Sequence, residues 1–314
     1  MTWNRNTSVK PAGGQFDNHA RAYDNITSTP LAAAMGAEIG GVDCTQASDA
    51  QIVEIQQALF HHKMIFFRDH GHMTHADHSA FSKRFGVFAE DAYSEGVPGF
   101  PEVQPVIKEA DAQTGWVFGS GWHTDSPFLP EPPAISTLRS VEIPPFGGDT
   151  IWANCALAYS TLSETMQKML ADLRVHMSIR DVLAGAQEHG SVKDGVLGPL
   201  VAQKNKPVSE DMLKKINGAM HPLVRSHDVT GEKSLYCDGS YAVGIEGMKP
   251  EESAPLLQFL TGHITQPAFT CRLRWEAGML VMWDNRLSVH QAFNDYDGYR
   301  REMYRTTIAG EKPQ

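Results

Sequence analysis

The chain has 314 residues, of which 41% are hydrophobic and 20% charged, the make-up of an ordinary globular protein. Its formal net charge of −10 argues against nucleic acid or an anionic membrane as a partner, since both select basic surfaces, although local arginines can still invert the field inside a pocket. No apolar run approaches the roughly 20 residues that cross a bilayer, and the N-terminus has no apolar core resembling a secretion signal, so the cytoplasm is the expected compartment.

In chain order, residues 1–30 read as a flexible polar arm and 31–314 as one domain. Residues 31–43 suggest a short strand broken by glycines. Residues 48–63 suggest a helix capped by Ser48 or Asp49, with Ile52, Ile55 and Leu59 on one face. A buried strand follows at 64–69, then a helix over 74–86 capped by Thr74 and stopped by Gly86. Glycine and proline mark 87–121 as a long loop. Strands are expected at 122–128, 134–142 and 149–153, a helix at 163–176, and an aperiodic excursion over 182–220. Strands resume at 221–227, 233–238, 268–275 and 279–284 around a helix at 251–264, and the last two fall at 288–293 and 302–310. There is no internal repeat. Cys44, Cys155, Cys237 and Cys271 are scattered without CxxC pairing, which suggests reduced, buried thiols.

The stretch WHTDSPF (122–128) carries the first chemistry. On a strand, positions i and i+2 share a face, so His123 and Asp125 would converge as half of a metal site. Most of the other histidines read as bland. His61 and His62 end a helix, where a cation complements the dipole. His70, His72, His75 and His78 look like a cluster, yet only His75 and His78 share a helical face, so a solvated loop and helix is the expectation. His290 differs, because Arg301 follows it by eleven positions and Arg305 by four more. Joined to His123 and Asp125, it makes two imidazoles and one carboxylate with coordination positions left open. That set favours non-haem Fe(II) activating O2, whereas structural zinc more often closes with four protein ligands.

The pattern HxD, then a distant His followed by ten residues and an Arg, resembles that of the Fe(II)/2-oxoglutarate dioxygenases. More narrowly, the chain resembles the family of taurine dioxygenase and the aryloxyalkanoate (2,4-D type) dioxygenases. Supporting stretches are GAEIGGVD (36–43), IFFRD (65–69), FSKRFG (81–86), PPFGGDTIWAN (144–154), HPLVRSH (221–227), HITQPAFTCRLRW (263–275), WDNRLSVH (283–290) and RREMYRTTIAGEKP (300–313). They run through nearly the whole chain. The resemblance implies a mostly β fold with flanking helices, a double-stranded β-helix or jelly roll. It implies Fe(II), 2-oxoglutarate and O2, with His123, Asp125 and His290 as metal ligands.

It further implies that Thr150 helps hold 2-oxoglutarate, that Arg301 pairs with its distal carboxylate, and that Arg305 serves the oxoacid end and the substrate's acidic group. The residue types agree, since arginine pairs bidentately with carboxylates and keeps its proton when buried. Positions 301, 303 and 305 also share one strand face. The reaction implied is oxidative decarboxylation to succinate and CO2 with hydroxylation of a small-molecule substrate; if the hydroxylated carbon bears a heteroatom, a C–O or C–S bond then breaks.

Arg305 favours an acidic substrate. Taurine itself fits poorly, because VFAEDAY (87–93) lacks the histidine of taurine enzymes and Gly119 replaces their amide side chain. FPEVQPVIKEADAQTG (100–115) and WHTDSPFLPEPP (122–133) look closer to the aryloxyalkanoate enzymes, with Phe128 and Tyr241 as an apolar wall and Ser126 beside the ligands. Glu90 and Asp91 leave a non-acidic or cationic substrate open, and a catalytically idle binding module is the third alternative. The oligomeric state stays open between a monomer and a homo-oligomer.

Overall fold

The first helix forms as α1 (Asp49–His62), and its ends follow from the sequence. Ser48 accepts from the Gln51 amide while the Gln51 side chain accepts from the Ser48 N–H, a reciprocal cap worth about 1 kcal/mol. Lys63 ends the helix in the left-handed region at φ 63°, its N–H bonded to the Leu59 carbonyl. Ile52, Ile55, Ala58 and Leu59 make the buried stripe. In this computed structural model the described residues are 16–90, 96–112, 119–182, 214 and 216–314.

The early strands are β1 (Thr27–Pro30), β2 (Ala37–Gly40), β3 (Met64–Phe67) and β4 (Gln104–Lys108), with α2 (His75–Lys83) between the last two. Next come β5 (Ile135–Glu142), β6 (Thr150–Asn154), α3 (Cys155–Ser160), α4 (Glu164–Leu170) and β7 (Arg174–Met177). Then follow β8 (Ala219–Pro222), β9 (Val224–Ser226), β10 (Lys233–Leu235), β11 (Ala242–Ile245) and α5 (Pro250–Ile264). The chain closes with β12 (Thr270–Leu273), β13 (Leu280–Asp284), β14 (Ser288–Ala292) and β15 (Arg301–Ile308).

Among the described residues the major sheet has seven strands in the order β1-β2-β3-β13-β5-β15-β4, and a smaller sheet runs β12-β6-β14. Strand alternation sorts the side chains into two layers. Ile65, Phe67, Leu280 and Met282 point from the major sheet toward α1 and α2, where they pack with Ile55, Leu59 and Phe81. Met64, Phe66, Val281 and Trp283 point the other way and meet Trp152, Cys271 and Leu273 of the smaller sheet. The Trp152 and Trp283 rings join the two sheets at 5.9 Å. Each large side chain so buried contributes about 1.5–3 kcal/mol. A third apolar cluster, including Ala158, Leu223, Leu260 and Phe269, lies around α3, α5 and the β11-β7-β8 sheet.

Several expectations change. Residues 122–128 form no strand: His123 makes one isolated bridge to His290, and the chain around it is loop. The helix expected over 163–176 stops at Leu170 and a strand begins at Arg174. Strand β4 interrupts the loop expected over 87–121, while α3 and β11 were not foreseen. The strand expected at 31–43 is shorter, as β2, and pairs with β1 inside the segment read as an arm. Residues 1–15 of that arm lie outside the described residues, as do 183–213 and 215 of the excursion. Residues 91–95 and 113–118 of the long loop lie outside them too. All four cysteines are free and buried.

Candidate active site

Two backbone hydrogen bonds fix the site's centre, His123 N–H to the His290 carbonyl at 2.9 Å and His290 N–H to the His123 carbonyl at 2.7 Å. They dock the 120s loop on β14 and bring the two imidazoles to 4.1 Å between ring centres. His123, Asp125 and His290, all buried, offer ligand atoms that lie within 4.8 Å of one another. No other group of three metal-binding side chains gathers in this way among the described residues. Just after Asp125, Ser126 turns the chain in the left-handed region at φ 45°.

Tautomer and charge are set by neighbours. The Nδ1 of His123 lies 2.8 Å from the Gly121 carbonyl, which can only accept, so Nδ1 carries the proton and Nε2 keeps its lone pair for a metal. Burial would raise the Asp125 carboxyl, but the Arg305 guanidinium, helped by the Ser136 hydrogen bond, holds it down at about 2. Arg305 Nη1 donates to Asp125 Oδ1 at 3.1 Å, and Ser136 Oγ donates to Oδ2 at 2.5 Å. Burial pushes His290 down to about 3, so its ring stays neutral. Two imidazoles and one ionised carboxylate form a donor set that suits a divalent ion.

Sequence reasoning missed the residues that hold Asp125. Asn285 donates through Nδ2 to Ser136 Oγ at 2.9 Å, and its Oδ1 accepts from the Asp125 amide at 3.3 Å and from Trp283 Nε1 at 2.9 Å. The only sequence signal was the stretch WDNR, read for resemblance rather than chemistry. Asp238 was missed as well: its carboxylate accepts from the Thr124, Ser240 and Tyr241 amides and ties the wall at 238–241 to the ligand loop.

A second polar centre lies on the same face of β15. Thr150 and Arg301 share Trp275, whose Nε1 donates to Thr150 Oγ1 at 2.9 Å and whose ring lies 5.8 Å from the guanidinium. Because Thr150 accepts from Trp275, its own O–H is left to donate. Arg301 is 6% exposed, and its Nε and Nη2 have no hydrogen-bond partner among the described residues. Buried guanidinium hydrogens beside a donating hydroxyl fit a carboxylate ligand.

The substrate-side expectations are placed as follows. Tyr241 lies 6.3 Å from His123 and 5.6 Å from Phe128 between ring centres, and both aromatics belong to the apolar cluster around α3 and α5. Ser126 is buried at the turn after Asp125. A Cβ at Gly119 would come within 3.1 Å of His123 Cε1, at a φ of 83°, so an amide side chain there would crowd the imidazole and strain the backbone. Glu90 is exposed, and Asp91 lies outside the described residues. Of the histidines expected to be solvated, His70 and His78 are instead buried, His70 bonded to the Cys44 amide and His78 to Thr137.

Two imidazoles and a carboxylate set between β-sheets, next to an arginine able to take an anionic co-substrate, define the class of mononuclear non-haem metal oxygenases. The family model described as taurine catabolism dioxygenase TauD, TfdA family matches residues 27–307, and the chain belongs to that family. It is a 2-oxoglutarate-dependent dioxygenase that uses Fe(II) and O2. It is 36% identical to an α-ketoglutarate-dependent sulfate ester dioxygenase of Pseudomonas putida, over 90% of this chain and 89% of that one. It is 33% identical to an alkylsulfatase of Acinetobacter baylyi, over 90% and 84%. Among solved structures, a taurine dioxygenase from Burkholderia xenovorans superposes with a TM-score of 0.74 at 36% identity, covering 92% of this chain and 91% of that one.

Proposed function

We propose that this dioxygenase hydroxylates a small organic acid at the carbon that bears its acidic oxygen or sulfur substituent, so that the product falls apart by C–O or C–S cleavage. The names of two similar relatives, a sulfate ester dioxygenase and an alkylsulfatase, support considering sulfate esters ahead of the aryloxyalkanoates and sulfonates that the sequence suggests. For an alkyl sulfate the balance is R–CH2–OSO3⁻ + 2-oxoglutarate + O2 → R–CHO + HSO4⁻ + succinate + CO2. One oxygen atom enters succinate. The other enters the hydroxylated carbon, whose O–H proton leaves with the sulfate as the C–O bond breaks.

In this reading His123, Asp125 and His290 hold Fe(II), which when bound supplies the redox chemistry coupling O2 to decarboxylation. Asp125 stays ionised and immobile through Arg305 and Ser136. Thr150 and Arg301 take the distal carboxylate of 2-oxoglutarate, and the Trp152 and Trp283 rings keep water from His290. Arg305, 6% exposed and already at Asp125, is the observation that carries the preference for an anion. Tyr241, Phe128 and Ser126 border the substrate's position. Residues 31–314 then act as a single jelly-roll domain, its two facing sheets holding the site between them. No helix among the described residues is long and apolar enough to cross a membrane, and a small molecule is the partner proposed.

The test supplies Fe(II), 2-oxoglutarate and, in parallel, an alkyl sulfate, an alkanesulfonate, an aryloxyacetate and an alkylamine, and measures succinate. An anion is expected to raise succinate well above the substrate-free rate, the sulfate ester with equimolar inorganic sulfate. Greater turnover with the amine, or no response to any anion, would overturn the reading.

A further inference from the structure

Strand β4 runs antiparallel to β15 with Lys108 directly opposite Arg301. Residues directly opposite in an antiparallel pair project to the same face, so two cations are set side by side there. Like charges in such a pair repel, and Lys108 is only 7% exposed. The segment 294–297 resolves the conflict. Lys108 Nζ donates to Asn294 Oδ1 and to Asp297 Oδ1, both at 2.8 Å, and lies 4.4 Å from the centre of the Tyr296 ring. Tyr296 is itself 3% exposed, and it interacts electrostatically with the buried Arg301 guanidinium. Its ring thus neighbours both cations, with the Lys108 ammonium over its face.

The same loop also reaches the hydroxyl side of the pocket. Asp295 Oδ1 accepts from the Gly148 amide at 2.7 Å, two residues before Thr150. A Cβ on Gly148 would meet Tyr296 Cδ1 at 3.2 Å and Arg301 Cδ and Nε at 3.4 Å, so turn, tyrosine and guanidinium are in close contact. We propose that Lys108 is a positioning residue for 2-oxoglutarate: it clamps the 294–297 loop through Asn294, Tyr296 and Asp297, and Tyr296 in turn aims Arg301 at the distal carboxylate. The proposal rests on the role given to Arg301 above. Asp297 is largely exposed, so the part-buried contact to Asn294 and the contact to the buried Tyr296 ring carry most of the clamp.

The experiment measures equilibrium binding of two probes to the Mn(II)-loaded protein by calorimetry. N-oxalylglycine carries the distal carboxylate of 2-oxoglutarate, and oxamate lacks it. Lys108→Met should weaken N-oxalylglycine about tenfold and leave oxamate unchanged, because the lost coupling acts only at the distal end. Lys108→Arg should restore most of the affinity. Tyr296→Phe, which keeps the ring and loses the hydroxyl beside Arg301, should give a similar selective loss, and combining it with Lys108→Met should add little. If Lys108→Met does not fold, Tyr296→Phe alone decides. Unchanged N-oxalylglycine binding, or an equal loss of both probes, overturns the proposal. Arg301→Gln separates it from its foundation: if that variant binds N-oxalylglycine normally, the role of Arg301 is wrong, whereas a loss there with none in Lys108→Met removes the clamp alone.

Discussion

At Asp125 burial and local charge oppose each other, and charge wins. Its carboxyl sits at about 2 although it is fully enclosed, because the Arg305 guanidinium lies beside it and Ser136 donates to it. The carboxylate is thus ionised in the folded protein. His123→Ala and Asp125→Ala are each expected to abolish turnover and to weaken Fe(II) binding by more than about a hundredfold, since loss of outer partners alone typically costs 10- to 100-fold. Wild-type activity in either variant would sink the ligand assignment. Zn(II) should compete for the same three side chains and inhibit, as it has no redox chemistry. Arg301→Gln should raise the 2-oxoglutarate requirement a few hundredfold, about 3–5 kcal/mol for breaking a buried charge pair, with little effect on the requirement for the acid substrate. An unchanged 2-oxoglutarate constant would assign Arg301 elsewhere. These residues were legible in the sequence because their types are chemically specific and the motif spacing is fixed. Asn285, Asp238 and Lys108 were not, since an amide, a carboxylate or a lysine means nothing until the fold supplies its partner.

Between residue and molecule, the turn at Ser126 matters most. Same-face strand geometry pointed to a pair that the structure does bring together, His123 and Asp125, but not through a strand. The 120s segment pairs with β14 through a single bridge, and a left-handed residue re-aims the chain just after Asp125. A backbone outlier of this kind has no signature in a serine. Helix α1 was readable because Ser48 and Gln51 cap it locally, whereas the helix at 163–170 was overextended because apolar spacing continued into β7. Ser126→Gly should leave stability unchanged or slightly higher and Ser126→Val should lower it by about 1–3 kcal/mol, as expected when a branched side chain is forced to positive φ. Chemical denaturation of both variants checks this, and a tolerated valine would contradict the turn geometry. The glycine variant also tests the serine side chain as a substrate contact, because a role there predicts a raised KM for the acid without a change in the 2-oxoglutarate constant.

For the whole molecule, buried histidines set the response to acid. Burial pushes His62 and His78 down to about 3 and His221 to about 4. Each takes up a proton near pH 6.5 when unfolded. Between pH 6.5 and their folded values, the unfolded state binds protons that the folded state refuses. Their stabilisation is therefore complete above about pH 6.5 and is lost as pH falls, at about 1.4 kcal/mol per pH unit for each histidine. Asp284 acts in the same direction: burial would raise it, but Arg286 and His227 hold it well below the usual carboxylate range. Thermal midpoints should fall steadily from pH 6.5 to 4.5, and His78→Asn should flatten that slope. A midpoint independent of pH over this window would contradict the buried, neutral state of these rings.

Where metal and co-substrate bind decides the proposed reaction, and a crystal structure of the protein with Mn(II) and N-oxalylglycine tests that directly. It should place the metal among His123, Asp125 and His290, and the distal carboxylate on Arg301 and the Thr150 hydroxyl. A metal held by any other set of side chains, or a distal carboxylate away from Arg301, would contradict it.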